Sequence, residues 1–152
     1  MINFKKGLSL IEIIMVVAVL GIILTISVPG FVNFRKNQSI QNTTNSVVSL
    51  LEEARARTLA SYNNTFYSVR IESNRAILFT GGTYSSSSPT NKTVPFESPV
   101  VLQSISLSGG GSEIKFDRIK GTTSQYGTIV LQIPSGTSRT ITINSGGVIT
   151  RD

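Results

Sequence analysis

Lys5-Lys6-Gly7-Leu8-Ser9-Leu10-Ile11-Glu12 runs without a break into the apolar stretch Ile13 to Val28. Two lysines, a glycine and a single carboxylate are thus joined to a segment that is otherwise apolar. From Leu8 to Val28 there are 21 residues; at ~1.5 Å per residue a helix of that length reaches about 32 Å, enough for a hydrocarbon core of ~30 Å. A secretory signal peptide has a shorter apolar region, ~7–15 residues, and a small-x-small cleavage site, which Thr25 to Gly30 does not offer. The segment therefore predicts a membrane-spanning helix that stays on the protein. Charge alone does not orient it, because Lys5 and Lys6 precede it and Arg35 and Lys36 follow.

Glu12 is the residue in this segment that demands a reason. A carboxylate costs ~2.5–3.5 kcal/mol at the centre of an inserted helix, less near an interface, and such groups usually have a partner. No basic residue lies between Leu8 and Phe34. A cut after Gly7 would create a positive α-amino group at Leu8, about one helical turn from Glu12, able to pair within one chain or between neighbours. The plain alternative is an ordinary anchor with Glu12 at headgroup depth.

These residues resemble the class III signal of type IV prepilins and type II secretion pseudopilins, a basic leader ending in Gly followed by Phe-Thr-Leu-Ile-Glu, with Leu8 and Ser9 in place of Phe and Thr. The resemblance implies a prepilin peptidase that cuts between Gly7 and Leu8 and N-methylates Leu8, and an assembly role for Glu12. It also implies helix-weakening positions in the stem, matched by Gly21 and Pro29. Proline lacks a donor and collides with the preceding turn, so an unwound stretch or kink is expected at Pro29-Gly30.

Beyond Pro29, the positions Ile40, Thr44, Val47, Leu51, Ala54 and Thr58 keep the 3-4 spacing of one helical face. They predict an amphipathic helix docked on a sheet, with Glu52, Glu53, Arg55 and Arg57 turned to solvent or to adjacent subunits. After Tyr62 the period shortens to two. Phe66–Ile71 and Ala76–Phe79 predict a hairpin turning at Glu72–Arg75, and Gly81–Thr93 a polar loop. Further strands are predicted at Val100–Leu107, Glu113–Phe116, Thr128–Ile133, Arg139–Ile143 and Val148–Thr150. Turns fall at Gly109-Gly110-Gly111 and Pro134-Ser135-Gly136. The expected class is α+β: a long N-terminal helix, transmembrane and then amphipathic, packed on an antiparallel β-rich C-terminal domain. The expected organisation is a leader at 1–7, a transmembrane and assembly helix at 8–29, an amphipathic helix at 30–62 and a globular head at 63–152.

That order resembles the minor pseudopilin H and FimT-type branch of the pilin-like superfamily, with Glu53-Ala54-Arg55-Ala56-Arg57 closing the helix and Thr140 to Val148 resembling its terminal hairpin. Some FimT-like proteins bind DNA through a C-terminal Gly-Arg-x-Arg element. The tail here, Gly146-Gly147-Val148-Ile149-Thr150-Arg151, keeps only the second arginine. The basic candidates for a nucleic-acid surface are Arg118, Lys120, Arg139 and Arg151, and the alternative for them is scattered solvated charge.

Composition closes off most chemistry. Histidine and cysteine are absent, which removes a Ser-His-Asp triad, thiol chemistry and the commonest transition-metal ligands. Glu52, Glu53, Glu72, Glu97, Glu113, Asp117 and Asp152 show no metal-ligand spacing, and Lys92, Lys115 and Lys120 belong to no Ser-Lys motif. The formal charge of +6 falls to +4 without Lys5 and Lys6. The expectation is a non-enzymatic subunit without metal or cofactor, held in the cytoplasmic (inner) membrane of a prokaryote with its head outside. Its partners would be the peptidase, other pilin or pseudopilin subunits, the inner-membrane assembly platform, lipid before assembly, and DNA in the FimT-like alternative. A membrane-tethered domain that never polymerises is the other alternative.

Overall fold

The computed structural model describes residues 7, 9–60, 64–134 and 136–152, and for 26–30 the backbone only. Leu8, the predicted methylation site, and leader residues 1–6 lie outside the described residues. One helix, α1 (Leu10–Leu59), precedes eight strands: β1 (Tyr67–Ile71), β2 (Arg75–Thr80), β3 (Lys92–Pro95), β4 (Val101–Leu107), β5 (Glu113–Lys115), β6 (Gly127–Gln132), β7 (Ser138–Ile143) and β8 (Ile149–Arg151). The class is α+β. By contact the chain forms two compact units, 1–35 and 36–152.

In the first unit α1 begins where the Ser9 carbonyl accepts from the Glu12 and Ile13 amides at 3.1 and 3.2 Å. The helical backbone continues through Gly21 and Pro29, without the unwound stretch expected there. A proline withholds one bond and adds one clash, about 3 kcal/mol, and long helical flanks on both sides absorb that. Among the described residues no helix is long and apolar enough to cross a membrane. The apolar part with described side chains, Leu10 to Thr25, is sixteen residues, or about 24 Å; the expected span also draws on Leu8 and residues 26–28.

The second unit is built on the distal part of α1. All six positions of the predicted stripe are buried, with Val47, Leu51, Ala54 and Thr58 fully so. Burial extends beyond the stripe to Ser39, Thr43, Val48 and Leu50, because α1 is covered on more than one side. One sheet has the order β3-β2-β1-β5, the other β4-β6-β7-β8, and one core cluster draws on both sheets and the helix. On the flank, the Ser39 hydroxyl lies 3.2 Å from the Glu97 and Ser98 carbonyls, and the Thr43 hydroxyl accepts from the Glu97 amide. At the helix end the buried Thr58 hydroxyl accepts from the Tyr67 amide at 2.9 Å, tying α1 to the first residue of β1.

The predicted hairpin is present, β1 and β2 pairing antiparallel from Tyr67↔Thr80 to Ile71↔Ala76. The stretch 81–93 is more than a polar loop. Tyr84 packs edge-on against Phe79, ring centroids 5.6 Å apart, with the Arg70 guanidinium 4.9 Å from its ring centre, and β3 pairs with β2 through Ala76↔Val94. Glu53 also departs from expectation. It faces its own chain, bonded to Lys92 on β3 and to Arg57 one turn along, both at 2.6 Å. The Lys92 hydrogen bond, with the charges of Lys92 and Arg57, holds the Glu53 carboxyl below its ordinary range against a smaller opposing effect of burial. A carboxyl depressed in the folded state stabilises above its unfolded pKa of ~4.3 and loses that contribution as pH falls through the lower folded value. Glu53→Gln is therefore expected to cost about 1 kcal/mol or less at pH 7, given the exposed partners, with the difference from the parent protein closing below about pH 4. Thermal melts across pH 3 to 7 check this; a pH-independent difference would refute it.

Candidate functional site

The first unit presents an apolar helix whose described side chains are open to its surroundings. Twelve large apolar side chains between Leu10 and Leu24 are each 52–77% exposed. Successive residues step about 100° around a helix, so Leu10, Ile11, Val19, Val16 and Ile13, at roughly 0°, 100°, 180°, 240° and 300°, already ring the helix. A helix apolar all round is the kind found in a membrane or in the core of a larger body. Thr25 satisfies its hydroxyl inside the helix, donating to the Ile22 carbonyl at 2.7 Å. Gly7 is exposed, and both Gly7 and Gly21 have open space where a side chain would stand.

Glu12 sits in the first turn, and among the described residues it has no ion-pair partner. Ser9 and Glu12 have the Ser-x-x-Glu spacing of a helix start, a signal the sequence reading passed over. A carboxylate in a first turn gains ~0.3–1 kcal/mol from the aligned peptide dipoles. That is smaller than the ~2.5–3.5 kcal/mol cost of a charge at the middle of an apolar medium, so the helix end alone does not compensate Glu12 at such depth.

The four basic candidates of the head fall into two places. Arg118 and Lys120 lie in the β5–β6 loop, where the Asp117 carboxylate accepts from the Ile119 and Lys120 amides at 2.9 and 3.1 Å. Those two backbone bonds hold the Asp117 carboxyl below its usual range. Ile119 is thereby presented outward, 88% exposed, and Arg118 donates to Asn64 Oδ1 at 2.7 Å. The loop is joined to the end of α1, since Arg55 Nε donates to the Gly121 carbonyl at 3.0 Å and Arg55 Nη2 to the Gly146 carbonyl at 3.4 Å. Arg55, expected to face solvent or a neighbour, instead links two loops to the helix.

Arg139 and Arg151 meet elsewhere. Arg151 stands opposite Ile141 in the β7–β8 ladder, and Arg139 is two residues along β7 from Ile141, so all three share one face of the sheet. Ile141 is fully buried, so that is the core-facing side. At its margin the two arginines line a polar pocket of about 220 Å³ with Gln41, Thr44, Asn45 and Asp152. Measured along α1, residues 41–45 are ten or more positions from Arg55, about 15 Å or more; the two pairs are therefore set against different parts of the helix. A second hollow of about 390 Å³ is framed by Gly109 to Gly111, Arg70 and Lys115, but there Glu113 pairs with both cations. Among the described residues no group of three or more acidic side chains is placed to hold a metal ion. No known protein family, curated protein or solved structure matches this chain.

Proposed function

We propose that this chain is a pilin-like filament subunit, a minor pilin or pseudopilin with no enzymatic activity, cut after Gly7 and assembled through its N-terminal helix. The observation that carries the reading is the uncovered apolar helix surface from Leu10 to Leu24 with Glu12 in its first turn, five residues beyond Gly7. Such a surface needs lipid or other copies of itself. Before assembly the segment from Leu8 to Val28 would lie in the inner membrane with the head outside; on assembly it would pass into a bundle of like helices, through the assembly platform. In either setting the deficit at Glu12 calls for a cation, and the α-amino group freed at Leu8 by the peptidase supplies one about a turn away. A neighbour's amine would do so while setting register between subunits.

In cells, Glu12→Ala is expected to leave trimming after Gly7 intact while reducing recovery of the chain in sheared fibres at least tenfold, read by immunoblot of the fibre and membrane fractions. Normal incorporation would remove the pairing role. Mass spectrometry of the fibre-borne chain is expected to show an N-terminus at Leu8 carrying one methyl group; recovery of Met1 to Gly7 on that chain would sink the proposal. For the DNA-uptake alternative, the basic candidates fall in two places, Arg118 and Lys120 on the β5–β6 loop and Arg139 and Arg151 at the pocket beside β8.

A further inference from the structure

The second unit, 36–152, contains seven arginines. Five have side-chain partners within the chain: Arg55 on two loop carbonyls, Arg57 on Glu53, Arg70 on Glu72 and Glu113, Arg75 on Glu72 and Arg118 on Asn64. Of the seven, Arg139 and Arg151 alone make no side-chain hydrogen bond or ion pair among the described residues, and these two line the same pocket. Arg139 is half-buried and its side chain has no partner of its own chain, which leaves its paired donors open to a counter-charge.

We infer that the pocket between α1 and the β7–β8 edge is a carboxylate-binding site, which takes an aspartate or glutamate side chain from an acidic segment of a protein partner. Two guanidiniums on one sheet face offer planar paired donors that match a carboxylate in a two-pronged contact. The side-chain amides of Gln41 and Asn45, both exposed on α1, add neutral donors at the rim. Of the lining side chains, two are cationic and one, Asp152, is anionic.

The same features argue against a nucleic-acid strand. A strand presents a row of phosphates and is held by a track of cations with aromatic rings for its bases. No aromatic residue lines this pocket, and the Arg118–Lys120 loop lies about 15 Å or more away along the helix. Lys36 is nearer in sequence but nine residues before Asn45, half a revolution round the helix from it. The site is independent of the stem proposal, since no residue of 1–35 lines it.

The full chain in detergent micelles, titrated with a fluorescently labelled hexaglutamate peptide at low salt, tests the site by anisotropy. The double variant Arg139→Gln, Arg151→Gln is expected to weaken binding at least tenfold, while Arg118→Gln, Lys120→Gln, which removes equal charge, weakens it less than twofold. Arg151→Gln alone, at an exposed position, is expected to give an intermediate loss and guards against a folding defect at Arg139. Arg139→Lys is expected to recover only part of the affinity, because it keeps the charge and loses the paired donors. Absence of peptide binding by the parent protein, or equal losses in the two double variants, would overturn the site. So would tighter arginine-dependent binding of a single-stranded oligonucleotide, which would transfer the pocket to nucleic acid. None of these outcomes bears on trimming or fibre incorporation.

Discussion

Gly147→Ala is expected to destabilise the head by about 3 kcal/mol or more. Gly147 has φ +75°, where an added Cβ costs ~1–2 kcal/mol in any setting. Here that Cβ would also overlap the Gly121 carbonyl oxygen and stand 3.0 Å from Arg55 Nε. Both are held: Arg55 donates to that same oxygen, and Gly121 is tied to Asp117 through its amide. The β7–β8 turn must therefore lift away, taking β8 and Arg151 with it. Gly146→Ala makes the matched control, for its nearest neighbour is the Asn144 side-chain oxygen at 3.3 Å, and a change under about 1 kcal/mol is expected. Urea denaturation of the detergent-solubilised full chain, followed by near-ultraviolet dichroism of the tyrosines, reads both. Equal stability of the two variants would show that the turn is not clamped as described.

Leu51→Ala is expected to cost about 2–5 kcal/mol in the same assay. Leu51 is fully buried at the middle of the helical stripe, in a core shared by α1 and both sheets. The void left by the missing carbons would border elements anchored separately, so it has little freedom to collapse. Ile119→Ala removes a side chain that is 88% exposed and is expected to stay within about 0.5 kcal/mol of the parent protein. A loss at Leu51 below about 1 kcal/mol would mean that the distal helix does not form the centre of the core.

Periodicity made the head legible wherever burial was one-sided. The stripe Ile40, Thr44, Val47, Leu51, Ala54 and Thr58 is buried throughout, and five predicted strands lie within one or two residues of β4 to β8, because alternating or 3-4 spacing records which side meets the core. β3 escaped notice for the converse reason. It is a four-residue edge strand carrying a lysine and a proline, with only Val94 half-buried, and its pairing depends on backbone bonds to β2 that no side-chain pattern announces. The division into two sheets was equally hidden, since strand order is a matter of long-range pairing. Arg55 and Glu53 were misassigned because their spacing placed them off the apolar face; their actual partners, Gly121, Gly146 and Lys92, come from loops and a strand far along the chain.

The candidate site was legible in a different measure. Ser9 and Glu12 mark the helix start by type and spacing alone, and the unrelieved apolar composition that follows forecasts its exposed surface. Arg139 and Arg151 were picked out as basic residues near the end of the chain, but their sharing a pocket with Gln41 and Asn45 depends on β7–β8 register and on where α1 lies. A hundred residues of intervening chain separate those two sets. At Pro29 the helix on either side keeps the backbone helical, so no unwound stretch appears there.

The twelve uncovered side chains from Leu10 to Leu24 also constrain the molecule's life history. Their hydration is unfavourable by an amount on the order of 20 kcal/mol, more than the 5–15 kcal/mol that holds an ordinary domain folded. For a subunit assembled as proposed, each transfer from membrane to fibre would therefore have to pass directly from one greasy environment to the next, without a stay in bulk water.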